Sequence, residues 1–298
     1  MSANTAIFIH IHKTGGSSLN EIISHQYAPQ RILSLYQSNP FKKNSTTPRY
    51  EALSRLSQEE KRRIALIRGH IAFGIHEFLP QPACYFTLVR NPISRMLSHY
   101  YYIQKSARNP NTKRRNYQKI APRQLSKVLG TTLDQFIDNY VNQGKDNHQT
   151  RILAGLSGER YQGEVTVETL ETAKENIRQH FALVGVIENF AAFVLLLQKT
   201  FGWNNSFFKI INQNSSKPKR QDIDSKTLHR LREVEKFDIQ LYEFITLSMA
   251  EKIEAYGSSF QDELTHFNRL NQSLYGQAVY YSSSILAKLS RKLTGATW

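Results

Sequence analysis

Two short segments carry the residue types that could do chemistry. The first is Ala6-Ile-Phe-Ile-His-Ile-His-Lys-Thr-Gly-Gly-Ser-Ser-Leu19, an apolar run that ends in Lys, two Gly and two Ser before helix-forming sequence. Gly15 and Gly16 have no Cβ, so their N–H groups can curl around an anion. Ser17 and Ser18 add hydroxyls, and the next helix would aim its positive end at the same point. Lys13 brings a full charge to the rim. The spacing is neither a Walker A loop, whose Lys follows the glycines, nor G-x-G-x-x-G. An ordinary turn with Ser17 capping the helix is the alternative for this segment alone.

The second segment is Tyr85-Phe-Thr-Leu-Val89 followed by Arg90-Asn-Pro-Ile-Ser-Arg95 and Met96-Leu-Ser98. Pro92 suits a first helical turn, so Arg90 ends a strand and Ser98 lies about two turns along the helix. Both can reach one anionic group from different directions; the alternative is a structural ion pair for Arg90 and a solvent-facing Ser98.

Together the two segments resemble the nucleotide-binding motifs of sulfotransferases that use PAPS (3′-phosphoadenosine 5′-phosphosulfate). Lys13-Thr-Gly-Gly-Ser-Ser18 is similar to their 5′-phosphosulfate loop, and Arg90-Asn-Pro-x-x-Arg95-x-x-Ser98 to their 3′-phosphate motif. The branch most resembled is the carbohydrate enzymes related to heparan sulfate and uronosyl 2-O-sulfotransferases. Further similarity lies in Arg68-Gly-His70, Gln149-Thr-Arg-Ile-Leu-Ala-Gly155 and Leu183-Val-Gly-Val-Ile-Glu188, with Phe190 and Phe193 following, so the likeness runs from about Ile7 to about Phe244.

The resemblance implies an α/β fold, a P-loop-like three-layer sandwich with a central, mainly parallel sheet flanked by helices. It implies PAPS as co-substrate, with Thr14, Gly15, Gly16, Ser17 and Ser18 at the 5′-phosphate, Arg90 and Ser98 at the 3′-phosphate, and Lys217 in a basic loop over the nucleotide. His70 aligns with the second His of a His-Gly-His segment, where that residue is the catalytic base. Arg68 replaces the first His and is a candidate for binding an acidic acceptor. Arg151 matches a Thr-Arg pair near the acceptor, with a salt bridge as its alternative role.

Charge supplies a mechanism. Sulfuryl transfer, like phosphoryl transfer, should pass through a loose in-line transition state with charge gathering on the leaving phosphate oxygen. Lys13 is the cation of the first loop that can neutralise it. The acceptor hydroxyl needs a base, and histidine, with an ordinary pKa of about 6.5, suits neutral pH. His70 is the choice; His12 is a helper beside Lys13, and His10, inside an alternating run, reads as a hydrogen-bonded core residue. His76, His99 and His148 have packing or surface readings. No Asp/His ligand set suggests a metal, and none is expected.

The elements that must hold these residues follow from periodicity. Strands are expected at Ile7–Ile11, Gln30–Leu35, Ile64–Arg68, Tyr85–Val89, Ala182–Ile187 and Phe207–Ile211. Helices are expected at Ser17–Gln26, Pro92–Lys105, Thr132–Val141, Val167–His180, Phe190–Thr200 and across Asp224–Tyr256, with helix or turns at Arg49–Arg63. Alternating strands and helices imply a parallel sheet. Residues 1–262 read as the catalytic domain. Residues 263–298 read as a basic amphipathic tail, in which Phe267, Leu274, Ala278, Tyr281, Ile285, Leu289 and Leu293 recur at helical spacing. Docking on the core or on a partner subunit is its expected role, and an anionic membrane surface is the alternative.

Composition is compatible with these expectations. The chain has 298 residues, 40% of them hydrophobic, enough for one large core. Its single cysteine, Cys84, excludes an internal disulfide framework. The formal net charge is +15, and no acidic residue occurs from Phe78 to Leu133. That interval would attract anions; its Lys105–Lys127 part could equally be a solvated loop. No nucleic-acid motif accompanies the charge, so an anionic carbohydrate or similar hydroxyl-bearing acceptor is the expected partner rather than nucleic acid. With the first strand starting so early, no signal peptide is expected, and the run Phe190–Leu197 is too short for a transmembrane span. A cytoplasmic location is expected, with the Golgi lumen as the alternative if an anchor has been trimmed. A P-loop-type nucleotide kinase and a non-catalytic polyanion-binding protein are the competing functions.

Overall fold

The computed structural model describes residues 5–36, 53–108, 129–156, 163–204, 206–208, 223–274 and 276–282. Five strands form one sheet: β1 (Thr5–Ile9), β2 (Ile32–Leu35), β3 (Leu66–Gly69), β4 (Ala83–Val89) and β5 (Phe181–Val186), in the order β2-β3-β1-β4-β5. Every pairing is parallel. Parallel strands covered on both faces need continuous apolar runs. Accordingly, all five residues of β1 are buried, as are the last five of β4.

The helices are α1 (Gly16–Gln26), α2 (Gln58–Arg63), α3 (Pro92–Arg108), α4 (Leu133–Asn142), α5 (His148–Leu153), α6 (Val167–His180), α7 (Phe190–Phe201), α8 (Ser225–Val234), α9 (Lys236–Glu254) and α10 (Ser259–Gln272). Side-chain chemistry sets several starts. Ser57 with Glu60, and Thr132 with Gln135, form reciprocal caps on α2 and α4. The sheet and α7 form the centre of the main core, and a second apolar cluster joins Ile93, Met96 and Leu97 of α3 to Phe136, Ile137 and Tyr140 of α4 and Leu231 of α8.

The α/β class with a parallel sheet flanked by helices is as expected. Three details differ. Phe207 and Phe208, the described part of the expected sixth strand, are not in a strand. The long helical stretch breaks at Glu235, whose fully buried carboxylate lies against Arg95. The short helix α5 adds an element between α4 and α6. Apart from these three, helix α10 spans residue 262, and Phe267 and Tyr280 pack in the main core. Lys217, most of the basic interval (residues 109–128) and the tail beyond residue 282 lie outside the described residues.

Candidate functional site

Strand register determines what meets. Ile9 at the end of β1 pairs with Gly69 of β3 on one side and Thr87 of β4 on the other. The residues leaving these strands, His70, His10 to Gly15 and Arg90, therefore emerge side by side at one sheet edge. Strand order reverses across the β1–β4 pair, since the chain visits β2 and β3 on one side before β4 on the other. Open α/β sheets bind ligands at such a point.

The loop after β1 is shaped as an anion cradle. Lys13 and Gly15 both have left-handed backbone, with φ of 71° and 85°, and Gly15 is the N-cap of α1. No acidic side chain enters the first turn of α1, and no side chain caps it. A Cβ on Gly15 would come within 2.5 Å of the Ile187 side chain, and one on Gly16 within 2.1 Å of the His10 ring. Both positions exclude any larger residue. Thr14 is buried, and its hydroxyl donates to the Ile11 carbonyl at 2.9 Å, fastening the loop. Ser17 is exposed and Ser18 buried. The Lys13 ammonium sits 4.0 Å above the centre of the Tyr102 ring on α3, a cation–π contact that fixes its direction.

Arg90 joins this loop directly: its guanidinium donates to the Lys13 carbonyl at 3.3 Å. Burial draws the Arg90 pKa down, and Glu188 opposes that shift. Gln149 clamps the Arg90 backbone, accepting from its N–H at 2.9 Å and donating to its carbonyl at 3.0 Å. Ser98 lies on α3 and is buried.

The histidines cluster on the other flank. Nδ1 of His70 lies 2.6 Å from the His10 carbonyl, which can only accept, so Nδ1 carries the proton and neutral His70 has its lone pair on Nε2. The His12 ring stacks on His70 with centroids 3.6 Å apart and planes at 16°. His10 is held by Tyr36 and Asn20, each 3.1 Å from its Nδ1. Burial, aided by His70 and Arg68, lowers the His10 pKa to about 3. Burial, then His70 and His10, puts His12 well below the ordinary value. Both are neutral at physiological pH.

Two expected substrate contacts are turned inward. Arg151 is 2% exposed and pairs with Asp146 at 2.8 Å, while also donating to the carbonyls of Asp146 and Gly163. Its geometry is the salt bridge weighed as the alternative. Arg68 donates to Ser34 Oγ at 3.0 Å and Ser24 Oγ at 2.8 Å, reaching toward α1 and β2. Arg95, within the second motif, is fully buried against Glu235 and Tyr140. Sequence reasoning did not assign roles to Gln149, Tyr102, Tyr36 or Asn20. Only Gln149 lay in a segment whose similarity pointed to it.

The sequence profile of the Sulfotransferase family matches residues 3–245. The chain belongs to the sulfotransferase family. Similarity to Heparan-sulfate 6-O-sulfotransferase 1-A of Danio rerio is 30% identity over 178 residues, 54% of this chain and 41% of the relative. For Heparan-sulfate 6-O-sulfotransferase 1 of Homo sapiens it is 29% over 180 residues, 55% and 43% respectively. Heparan sulfate 2-O-sulfotransferase hst-2 of Caenorhabditis elegans is 24% identical over 299 residues, 91% of this chain and 89% of the relative. The chain thus spans less than half the length of the 6-O relatives it matches and most of the 2-O relative. Among the described residues no helix is long and apolar enough to cross a membrane. No described cluster of three or more His, Cys, Asp or Glu is arranged to hold a metal ion.

Proposed function

We propose that this protein transfers a sulfuryl group from PAPS to a hydroxyl of a carbohydrate acceptor. The observation that carries the reading is the Arg90–Lys13 contact, which joins the two segments at one sheet edge, with His70 leaving the neighbouring strand; this supports a shared nucleotide site. The residues fit a nucleotide bearing phosphate at both ends. The left-handed Gly15 turns the loop tightly into α1, the start of α1 carries no competing acid, and Arg90 stands one strand away.

When bound, PAPS supplies the sulfuryl group and a phosphate leaving group. Thr14 to Ser18 hold the 5′-phosphate end, and Arg90 and Ser98 the 3′-phosphate. Lys13 neutralises charge developing on the leaving oxygen, its ammonium aimed by Tyr102. His70 Nε2 takes the acceptor proton, with the ring held in the required tautomer by the His10 carbonyl. His12 remains neutral against its face. Relatives named for heparan sulfate support a sugar hydroxyl as acceptor.

The test is transfer of label from radioactive PAPS to de-sulfated heparan-type polysaccharide, run beside calorimetric titrations with PAP, the desulfated donor, and with ATP and heparin. Expected are transfer and tight PAP binding. Magnesium-dependent ATP binding in preference to PAP would replace this reading with a kinase. Heparin binding without PAP affinity would replace it with a polyanion-binding protein.

A further inference from the structure

Helix α3 carries Ser98 toward the nucleotide and Tyr102 under Lys13, and between them it turns His99 into a separate pocket. This cavity, about 200 Å³, lies between α3, α4 and the turn that follows α4. Tyr100, Phe136 and Tyr140 furnish aromatic surface, while His99, Asn139 and Lys145 bring polar groups to the lining. It is smaller than the ~300–1,000 Å³ of pockets that take a whole drug-sized ligand, so it suits one ring of a larger molecule.

One of its polar groups lacks a hydrogen-bond partner and another lacks a counter-ion, both of which burial makes costly. Lys145 is half-buried, and desolvation lowers its pKa. Its ammonium donates to Gln143 Oε1 at 2.6 Å, but it pairs with no carboxylate among the described residues. The Nδ1 of His99 is sealed from solvent and has no hydrogen-bond partner among the described residues. Burial, then the charges of Arg95, Lys145 and Lys13, holds the His99 pKa at about 3, so this imidazole stays neutral and adds no competing charge. Tyr102, three residues after His99 on α3, lies under the Lys13 ammonium, so the pocket adjoins the Lys13 side of the transfer site.

We propose that this pocket is an acceptor subsite that binds an acidic sugar ring, next to the ring being sulfated. The inference rests on the transfer reading above and adds a specificity determinant to it. The aromatic walls offer flat apolar surface to a pyranose face, the side-chain amides meet its hydroxyls, and Lys145 meets its anionic group. Either a carboxylate or a sulfate would satisfy the ammonium, and the two are separable by experiment.

The experiment is calorimetry on full-length, PAP-saturated protein with three disaccharides: one bearing a uronate carboxylate, its carboxyl-reduced counterpart, and an N-sulfated, carboxyl-reduced one. At least one acidic form should bind about tenfold more tightly than the neutral form, as expected for a charge-assisted contact of ~1.4 kcal/mol. Lys145→Gln should erase that preference and Lys145→Arg should retain it, with PAP affinity the same in all three proteins. Tighter binding by only one acidic form identifies which anion the pocket takes. Equal binding of acidic and neutral forms by the native protein overturns the subsite, as does a preference that survives Lys145→Gln. If Lys145→Gln does not fold, the native protein and Lys145→Arg still decide through the ligand series. Failure of PAP to bind at all would instead fell the transfer reading.

Discussion

A base works only if its lone pair faces the substrate; under the proposed transfer His70 is that base, and its tautomer is set by a main-chain carbonyl rather than by a carboxylate. The His10 carbonyl holds the proton on Nδ1, with no acid needed to orient the ring. Replacing His70 by Gln should lower kcat by ~10²–10⁴-fold, the range for loss of a general base, while PAP affinity stays within twofold. Equal losses in PAP binding would mean that His70 serves the nucleotide instead. Lys13→Ala removes the charge that the proposed transfer sets against the leaving oxygen and should cost ~10²–10³ in kcat. Tyr102→Leu should cost only a few-fold, since an exposed cation–π contact is worth ~0.5–1 kcal/mol. The pH profile separates the stacked rings. His10, with its pKa near 3, is neutral from pH 5 to 8, and burial holds His12 well below the ordinary imidazole value, so a limb of kcat near pH 6.5 arises elsewhere. His12→Phe, which keeps an aromatic face on His70, should leave the limb where it is. Its disappearance in that variant would make His12 the titrating base.

Elements meet through contacts that no local sequence pattern announces. The cradle depends on a close approach between α1 and the residue that follows β1: the His10 ring occupies the space a Gly16 side chain would need, and Tyr36 and Asn20 hold that ring in place. Gly16→Ala should therefore destabilise the protein by ~1–3 kcal/mol through overpacking, read as a shift in the urea midpoint, and should weaken PAP binding with it. A second junction is ionic. Arg95 and Glu235 lie 3.3 Å apart and wholly buried, tying α3 to the α8–α9 corner. Glu235→Gln removes the carboxylate paired with Arg95, leaving Asp238 and Tyr140 as its neighbours, and should cost ~3–5 kcal/mol in chemical denaturation; a loss under 1 kcal/mol would show that Asp238 and Tyr140 suffice. Much of this framework was legible in the chain. Continuous apolar runs gave β1 and β4, Pro92 marked the start of α3, and the period of Val167–His180 matched α6 end to end. The break at Glu235 was not legible, because helix-forming residues continue through it and the reason to stop is Arg95, 140 residues away. Nor was the Gln149 clamp on Arg90, which spans 59 residues. Arg151 shows the same limit: its type suggested an anionic ligand, but its neighbour Asp146 claims it.

Across the whole molecule, neutral imidazoles are concentrated in and around one crevice, and folding is thereby linked to pH. Burial is the first cause at each of His10, His12, His99 and His148, and in every case the folded pKa lies below the usual 6.5. Between that value and the folded pKa the unfolded chain binds more protons, so stability rises with pH. The contribution is therefore complete above pH 6.5 and is lost as pH falls toward about 3, the value for His10 and His99. Each such group adds ~1.4 kcal/mol per pH unit in the steep part of the window. Urea midpoints should be flat from pH 7 to 8 in respect of these groups and fall steeply from pH 6 to 4. His99→Phe, at the edge of the crevice, should remove about one proton from that slope without changing the others. PAP opposes the trend because it binds only the folded state: at a hundred times its Kd it should add ~2.7 kcal/mol at any pH where the site is intact. Measured at pH 7.5 and at pH 5, equal PAP stabilisation would show that the nucleotide half of the crevice does not require the histidines to be neutral. A stabilisation that vanishes at pH 5 while the protein remains folded would show that protonating them opens the loop that Gly16 and His10 close.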